Sequence, residues 1–153
     1  MKKFLTPFFL VTLLALVAGC SSSRNNSTTA GVKIELTGVV RASDGSTRVS
    51  WRVANPNVIS YLLSQATHQI YLNGVLVGTV KDREPLAVMP QAHTDRTSPM
   101  ASAGPAGDSA LAAAATTGSA AYRVESSLVI QLYGEMVDKS DLTATGTVPV
   151  TAK

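Results

Sequence analysis

The sequence has one cysteine among its 153 residues and few charges of either sign. A single cysteine excludes an internal disulfide framework and a cysteine-rich metal site. Lys2 and Lys3 lie in a segment that we expect to be removed, and without them 11 basic residues face 10 acidic ones. This balance provides no basic surface for nucleic acid. Two histidines, His68 and His93, are too few for a metal site of three or four ligands, and no glycine motif that cradles phosphate is present. We therefore expect no metal and no cofactor.

The first twenty residues have the form of a secretion signal. A positively charged start, residues 1–3, precedes an apolar run, residues 4–18, that Pro7 interrupts. The run is shorter than the roughly 20 apolar residues that span a bilayer. It therefore predicts a cleaved signal peptide rather than an anchor helix.

The end of this signal, Leu16-Val17-Ala18-Gly19-Cys20, resembles the lipobox of bacterial lipoproteins. The resemblance implies cleavage between Gly19 and Cys20 and fatty acylation, including palmitate, of Cys20. The alternative is an ordinary secretory signal that contains a cysteine by chance. Residues 1–19 are thus predicted to be the signal peptide, and residues 20–31 the lipidated cysteine with a flexible tether rich in Ser, Asn and Thr. No Asp follows Cys20, which in lipoproteins of Gram-negative type favours the outer membrane, facing the periplasm.

From residue 32 the apolar residues recur with a period of two, which is typical of half-buried strands. Ile34, Leu36 and Val40 share one face of the first strand, and Val49, Trp51 and Val53 that of the second. We expect Trp51 to be a core residue. The second strand ends at Asn55-Pro56-Asn57, where Pro56 cannot donate to a ladder and the asparagines favour turns. This motif predicts a structural corner, with a binding site as the alternative.

The clearest local signal is Asn73-Gly74 between two aliphatic runs, which predicts a two-residue hairpin of type I′. In that hairpin Leu72 faces Val75, and Ile70 faces Val77. His68 lies before this hairpin and is predicted to be a partly exposed strand-end residue.

Two further strands are predicted, over residues 122–133 and 142–150, with Gly146 at a bulge and Pro149 on an exposed edge. Between the hairpin and the first of these strands, residues 98–121 predict a loop rich in Ala, Gly and Ser with at most one short helix near residues 109–116. Short strands separated by turns indicate an all-β chain, an antiparallel β-sandwich over residues 32–153.

Several of these pieces together resemble the type-2 late embryogenesis abundant proteins, which share the water-stress and hypersensitive-response domain. The matching segments are VSWRVANPN, HQIYLNGVLVGTV, AYRVESSLVIQLYGE and GTVPV. The resemblance implies a β-sandwich of fibronectin III or immunoglobulin-like form, a role in desiccation and stress tolerance, and no catalytic residues. The sequence departs from the family pattern at residues 91–120.

One segment, Gly107-Asp108-Ser109, is similar to the Gly-Asp-Ser box of a lipase and esterase family. That box requires a buried strand before it and a histidine after it, and neither is present. A helix start capped by Asp108 or Ser109 is the better interpretation.

We therefore expect a non-enzymatic envelope lipoprotein that protects proteins or membrane during water stress through surface contacts. The alternative function is a structural accessory lipoprotein that docks an envelope assembly by pairing of an edge strand. Its partners would be membrane lipid, through acylated Cys20, and an envelope protein, but no nucleic acid.

Overall fold

The computed structural model describes residues 31–132 and 136–153. Gly19 and Cys20, the predicted cleavage and lipidation positions, lie outside these ranges. The described residues form eight strands and one helix: β1 (Lys33–Arg41), β2 (Thr47–Asn55), β3 (Tyr61–Leu72), β4 (Val75–Asp82), β5 (Leu86–Val88), β6 (Ala92–Ser102), α1 (Pro105–Thr117), β7 (Ser119–Leu132) and β8 (Met136–Ala152).

The strands form one sheet that closes on itself. The order is β4-β6-β2-β1-β8-β7-β3, and β3 pairs with β4 to complete a ring of seven strands. The short β5 pairs with the first residues of β3, ahead of β4. All pairs are antiparallel except β1 with β8, which are parallel. The all-β prediction is confirmed, whereas the finer prediction of an antiparallel sandwich is not, because β4 joins β3 to β6 and one neighbouring pair is parallel.

The last strand differs from its prediction. β8 is 17 residues long and lies between β1 and β7. Its register with β7 is unbroken from Met136 to Pro149, so Gly146 is not a bulge. Pro149 does not lie on an outermost strand, because β1 pairs with the residues that directly follow it.

Alternate residues of the ring fill its interior, as the period of two requires. In β1 the register shift between Leu36 and Gly38 breaks this period, so Val39 rather than the predicted Val40 is interior. Trp51 is 1% exposed, which agrees with its predicted place in the core. The other large side chains that are fully enclosed include Leu36, Val39, Val49, Val53, Ile70, Leu72, Val77, Val80, Leu128 and Ile130.

Helix α1 lies over one end of the ring, where small residues allow a close approach. Leu111 and Ala114 are buried against the barrel, and an added Cβ on Gly107 would lie 2.8 Å from the carbonyl oxygen of Leu76. The predicted loop over residues 98–121 is therefore the end of β6, a 13-residue helix and the start of β7. Packing against the barrel stabilises the alanine run, which would be marginal as an isolated helix.

The predicted caps of this helix are wrong. The N-cap position is Gly104, with φ at 104°, and it makes no side-chain cap. Asp108 instead accepts a hydrogen bond from Ser102 Oγ at 2.7 Å. Ser109 Oγ donates to the carbonyl oxygen of Pro105 at 2.9 Å, inside the helix.

The hairpin of β3 and β4 turns at Asn73 and Gly74, whose φ values are 47° and 84°. The pairs nearest the turn have the predicted register. Ile70, however, pairs with Gly78 rather than with Val77, because the register shifts between residues 70 and 71.

The barrel has two different ends. The helix end comprises residues 42–46, residues 73–74 and α1, and the loop end comprises residue 31, residues 56–60 and residues 89–91. No helix in the described parts of the chain is long and apolar enough to cross a bilayer.

We predict that Gly78→Ala destabilises the barrel where β4 meets β6. The new Cβ would lie 2.4 Å from the carbonyl oxygen of Ala101 and 2.6 Å from Cγ of Met100, so the two strands must move apart. Overpacking of this kind costs about 1–3 kcal/mol. A urea titration followed by Trp51 fluorescence should show a loss of this size in the free energy of unfolding.

Gly38→Ala is the matched control, because its Cβ would lie 3.7 Å from Cβ of Ser50, an ordinary contact. We expect its free energy of unfolding to be unchanged or slightly raised. Equal losses in the two variants would contradict the predicted crowding between β4 and β6.

Candidate functional site

A polar cluster lies inside the barrel. His68 on β3 is 0% exposed, so the prediction of a partly exposed strand-end residue is wrong. Its Nδ1 lies 2.8 Å from Ser126 Oγ, and its ring centre lies 4.6 Å from that of Trp51. Its Nε2 has no hydrogen-bond partner within the described ranges. Counting back by twos from Leu72 and Ile70 would have placed His68 on the inner face.

Hydrogen bonds connect this interior to a charged pair near the surface. Trp51 Nε1 donates to Ser98 Oγ at 3.2 Å, and Ser98 Oγ donates to Asp82 Oδ2 at 2.8 Å. Arg96 Nη1 donates to Asp82 Oδ1 at 3.0 Å. Burial raises the pKa of Asp82, but the bonds from Ser98, the Glu84 backbone and Arg96 hold it below its usual value. Asp82 is therefore ionised at neutral pH and paired.

His68 is neutral in the folded protein at pH 7. Burial lowers its pKa to about 4, and the opposing influence of the Asp82 charge is smaller. Because its ring is enclosed, it has no path to a substrate in this conformation. Its role in the structure is to fill the core beside Trp51.

The Gly107-Asp108-Ser109 segment does not have the geometry of an esterase site. It lies in the first turns of α1 rather than at the end of a buried strand. His68 is enclosed in the barrel, and His93 lies near the start of β6 at the loop end, opposite the helix. Neither histidine can act as the base for Ser109.

The Asn55-Pro56-Asn57 motif forms a corner at the loop end. Asn55 is 1% exposed, and its Nδ2 donates to the carbonyl oxygens of Ile59 at 2.7 Å and Met89 at 3.2 Å. Its Oδ1 accepts from the backbone N–H of Asn57 at 2.9 Å. One buried amide thus holds residues 57–59 against the turn between β5 and β6.

Large apolar side chains project from the same corner. Val58 is 76% exposed and Met89 is 58% exposed. The period of two does not single them out; the signal in the sequence is an apolar residue inside each of two turns that contain Pro or Asn.

The ladder between β1 and β8 is short, and the two strands are unpaired from there toward the loop end. The paired residues are Val39–Arg41 and Val150–Ala152. Pro149 comes directly before the ladder and has no N–H with which to extend it. In β1 the register to β2 shifts between Leu36 and Gly38. Both features disfavour continued pairing toward the loop end.

The side chain of Tyr122 fills the interior side of this gap. The backbone N–H of Leu36 donates to its hydroxyl, while burial raises the pKa of Tyr122. An added Cβ on Gly146 would lie 2.8 Å from Cε1 of Tyr122, so glycine is needed there. On the outer side of the Tyr122 side chain lies a groove of about 390 Å³, which we call the β1–β8 groove. It is lined by Lys33, Ile34, Glu35, Arg52, Ala54, Tyr122, Ala144, Thr145, Gly146 and Thr147.

In residues 31–132 and 136–153, no group of three or more His, Cys, Asp or Glu side chains could hold a metal ion. Two features of the described surface stand out, the β1–β8 groove and the exposed apolar side chains of the loop end.

We predict that the buried His68 makes stability depend on pH between about 6.5 and 4. In the unfolded chain its pKa is near 6.5, and in the folded protein it is about 4. As pH falls, the unfolded chain binds the proton before the folded protein does. The contribution of neutral His68 to the free energy of unfolding is therefore fully present above pH 6.5 and is lost between about pH 6.5 and pH 4. The expected loss between pH 7.5 and pH 4.5 is about 2.5 kcal/mol. Urea titrations at pH 7.5 and pH 4.5 measure it.

His68→Gln removes the titrating group and should abolish most of this difference between the two pH values. His93→Gln is the control, since His93 is exposed, and it should keep the wild-type difference. A full difference in the His68→Gln protein would contradict this assignment.

Comparison with known proteins gives a weak likeness of fold. No family model matches the sequence, and no curated protein matches it significantly. Among solved structures, a protein from Archaeoglobus fulgidus is 21% identical, with 77% of this chain and 94% of that chain covered and a TM-score of 0.44. A protein assigned provisionally to the late embryogenesis abundant proteins is 11% identical, with 78% and 71% covered and a TM-score of 0.49. An Arabidopsis thaliana protein is 16% identical, with 85% and 83% covered and a TM-score of 0.46. Each of these likenesses concerns the fold alone.

Proposed function

We propose that this protein is a lipid-anchored, non-catalytic protein of the bacterial cell envelope that docks an extended segment of a partner protein along β8. The observation that carries the proposal is the side of β8 that faces away from β7. Between Lys139 and Thr147, none of the described strands pairs with that side.

The main chain of β8 is oriented for such docking. The N–H of Val150 donates to the carbonyl oxygen of Gly118 at 3.0 Å, on the β7 side. Because the register is unbroken, even-numbered residues of β8 direct their N–H and C=O groups to β7, and odd-numbered residues direct theirs away. Thr145 and Thr147 therefore present main-chain donors and acceptors to the β1–β8 groove, and Thr143 presents its own on the same side of β8, next to the groove.

The side chains along this edge also favour a strand partner. Thr143, Thr145 and Thr147 are exposed, uncharged and β-branched, a class enriched in strands. Closer to the loop end, the exposed Lys139 and Asp141 are charged, which discourages indiscriminate pairing of sheet edges. The receptive stretch is thus the one beside the groove.

The lipid anchor would place this edge in the envelope. Acylated Cys20 would hold the protein on a membrane through its fatty acyl chains, and the polar segment after it would act as a tether. We propose the outer membrane, facing the periplasm, as its location.

We predict that Thr145→Pro prevents docking without unfolding the barrel. The substitution removes an N–H that points away from β7, so the β7–β8 ladder keeps its bonds. Proline already occupies a position of the same orientation at Pro149. A photoreactive residue at Thr143 in cells should trap one stoichiometric partner in the wild type and none in the Thr145→Pro protein.

Thr145→Ala is the matched control, because it keeps the N–H and removes only the side chain. It should trap the partner as the wild type does. A diffuse set of adducts in the wild type, or trapping that survives Thr145→Pro, would argue against strand docking.

Protection against water stress is the second candidate function. It is favoured by the row of exposed hydroxyl groups on β8, which can hydrogen bond to a client surface as water is removed. In this mode the contacts would be many and weak, with no single partner.

For protection, we predict that a labile reporter enzyme dried with the full-length protein recovers more activity on rehydration than one dried with an equal mass of an inert β-protein. Replacing Thr143, Thr145 and Thr147 together by Ala should reduce the benefit. Equal recovery with the protein and with the inert control would count against this second function.

A further inference from the structure

Two turns of the loop end, residues 56–60 and 89–91, combine exposed apolar side chains with an absence of charged residues. Val58 and Met89 are 76% and 58% exposed. Residues 53–80 and residues 85–94 contain no Lys, Arg, Asp or Glu. Apolar groups that project from uncharged turns suit contact with an apolar medium better than contact with water.

The two turns are held together as one surface. Nδ2 of Asn55 donates to carbonyl oxygens in both turns, those of Ile59 and Met89. The N–H of Gln91 donates to the carbonyl oxygen of Asn57 at 2.9 Å, with Gln91 in the left-handed region at φ 51°. The apolar tips are therefore presented by a braced corner. Beside them, a groove of about 550 Å³ is lined by Val58, Ile59, Ser60, Tyr61, Leu62, Ala87, Pro90 and Gln131.

The chain enters the barrel at this same end. An added Cβ on Gly31 would lie 3.5 Å from Nδ2 of Asn57 and 3.8 Å from Cγ of Pro56. Eleven residue steps separate Cys20 from Gly31, and at about 3.3–3.6 Å per residue they reach at most about 40 Å. The tether therefore begins at the corner that bears Val58 and Met89, while the helix end lies at the other end of the barrel.

We propose that the loop end rests on the lipid bilayer that holds Cys20, with Val58 and Met89 inserted at the boundary of headgroups and acyl chains. This inference rests on the proposed lipidation of Cys20. The connection limits the distance between the loop end and the anchor to at most about 40 Å, and the braced turns lose little conformational freedom when they insert.

The lack of charged residues in the two turns determines which lipids the loop end can contact. With no charged residue in either turn, the contact is apolar and requires no anionic lipid. It should therefore form on vesicles of zwitterionic phosphatidylcholine and persist at high salt, unlike contacts made by basic patches.

The experiment uses the mature, acylated protein, which begins at Cys20, in phosphatidylcholine vesicles. Acylation blocks the thiol of Cys20, so Met89→Cys introduces the one reactive thiol, which is labelled with an environment-sensitive fluorophore. On vesicles, the emission of the label at residue 89 should lie further to the blue and be more intense than that of a label exposed to water. Val75→Cys is the matched control, because Val75 is 39% exposed at the helix end; its label should stay in water.

A second substitution tests the insertion itself. Val58→Asp in the Met89→Cys protein should abolish the blue shift, while Val75→Asp in the same protein should leave it. Both positions are exposed, so neither change disturbs the core. Water-like emission from the label at residue 89 on vesicles would overturn the proposal. So would a blue shift that depends on protein concentration rather than on lipid, since that indicates a second copy.

Mass spectrometry of the same sample distinguishes a failure of the proposed anchor from a failure of the proposed contact of the loop end. If Cys20 carries no acyl chains, the proposed anchor is wrong, and with it this inference. If Cys20 is acylated and the label at residue 89 remains in water, the anchor stands and the contact of the loop end is wrong.

Discussion

Closure of the sheet is the constraint on which the rest of this structure depends. β4 pairs with β3 through the Asn73-Gly74 hairpin and with β6 on its other side, and the second pairing turns a row of strands into a ring. A Cβ on Gly78 would collide with the β6 backbone, so this contact depends on the absence of a side chain. Once the ring is closed, alternate residues become interior, and His68 and Trp51 are brought together inside it.

The opposite side of the ring closes incompletely, and this determines the character of the surface. β1 and β8 share three residue pairs, and toward the loop end the ring of Tyr122 replaces the missing ladder. Main-chain groups of β8 are therefore left facing outward beside a groove. The barrel thus has a sealed helix end, a partly open side, and a loop end from which apolar side chains project.

Local features of this fold were predictable from sequence, and distant ones were not. The strands around Trp51 and the turn at Asn73-Gly74 follow from alternation and turn chemistry, which act over a few residues. The pairing of β1 with β8 joins residues more than 100 positions apart and leaves no local pattern. The register shift at Ile70 and the placement of the alanine helix depend equally on tertiary contacts.

The candidate surfaces show the same division. Asn55 was recognisable as a corner residue, but its bonds to Met89 depend on a turn more than 30 residues away. His68 carried a usable signal, since it continues the inward series of Ile70 and Leu72. The exposure of Val58 and Met89 carried almost none, because apolar residues in turns are more often covered by neighbouring structure than left bare.

The parallel pairing of the first and last strands has a mechanical consequence. The chain enters β1 at the loop end and leaves β8 at the helix end, so tension between the two termini would load these neighbouring strands in shear. The bonds at Val39–Arg41, and the bond from the N–H of Lys153 to the carbonyl oxygen of Arg41, would then bear the force together instead of opening one by one. A barrel built in this way resists being pulled apart along its axis even though its side is partly open.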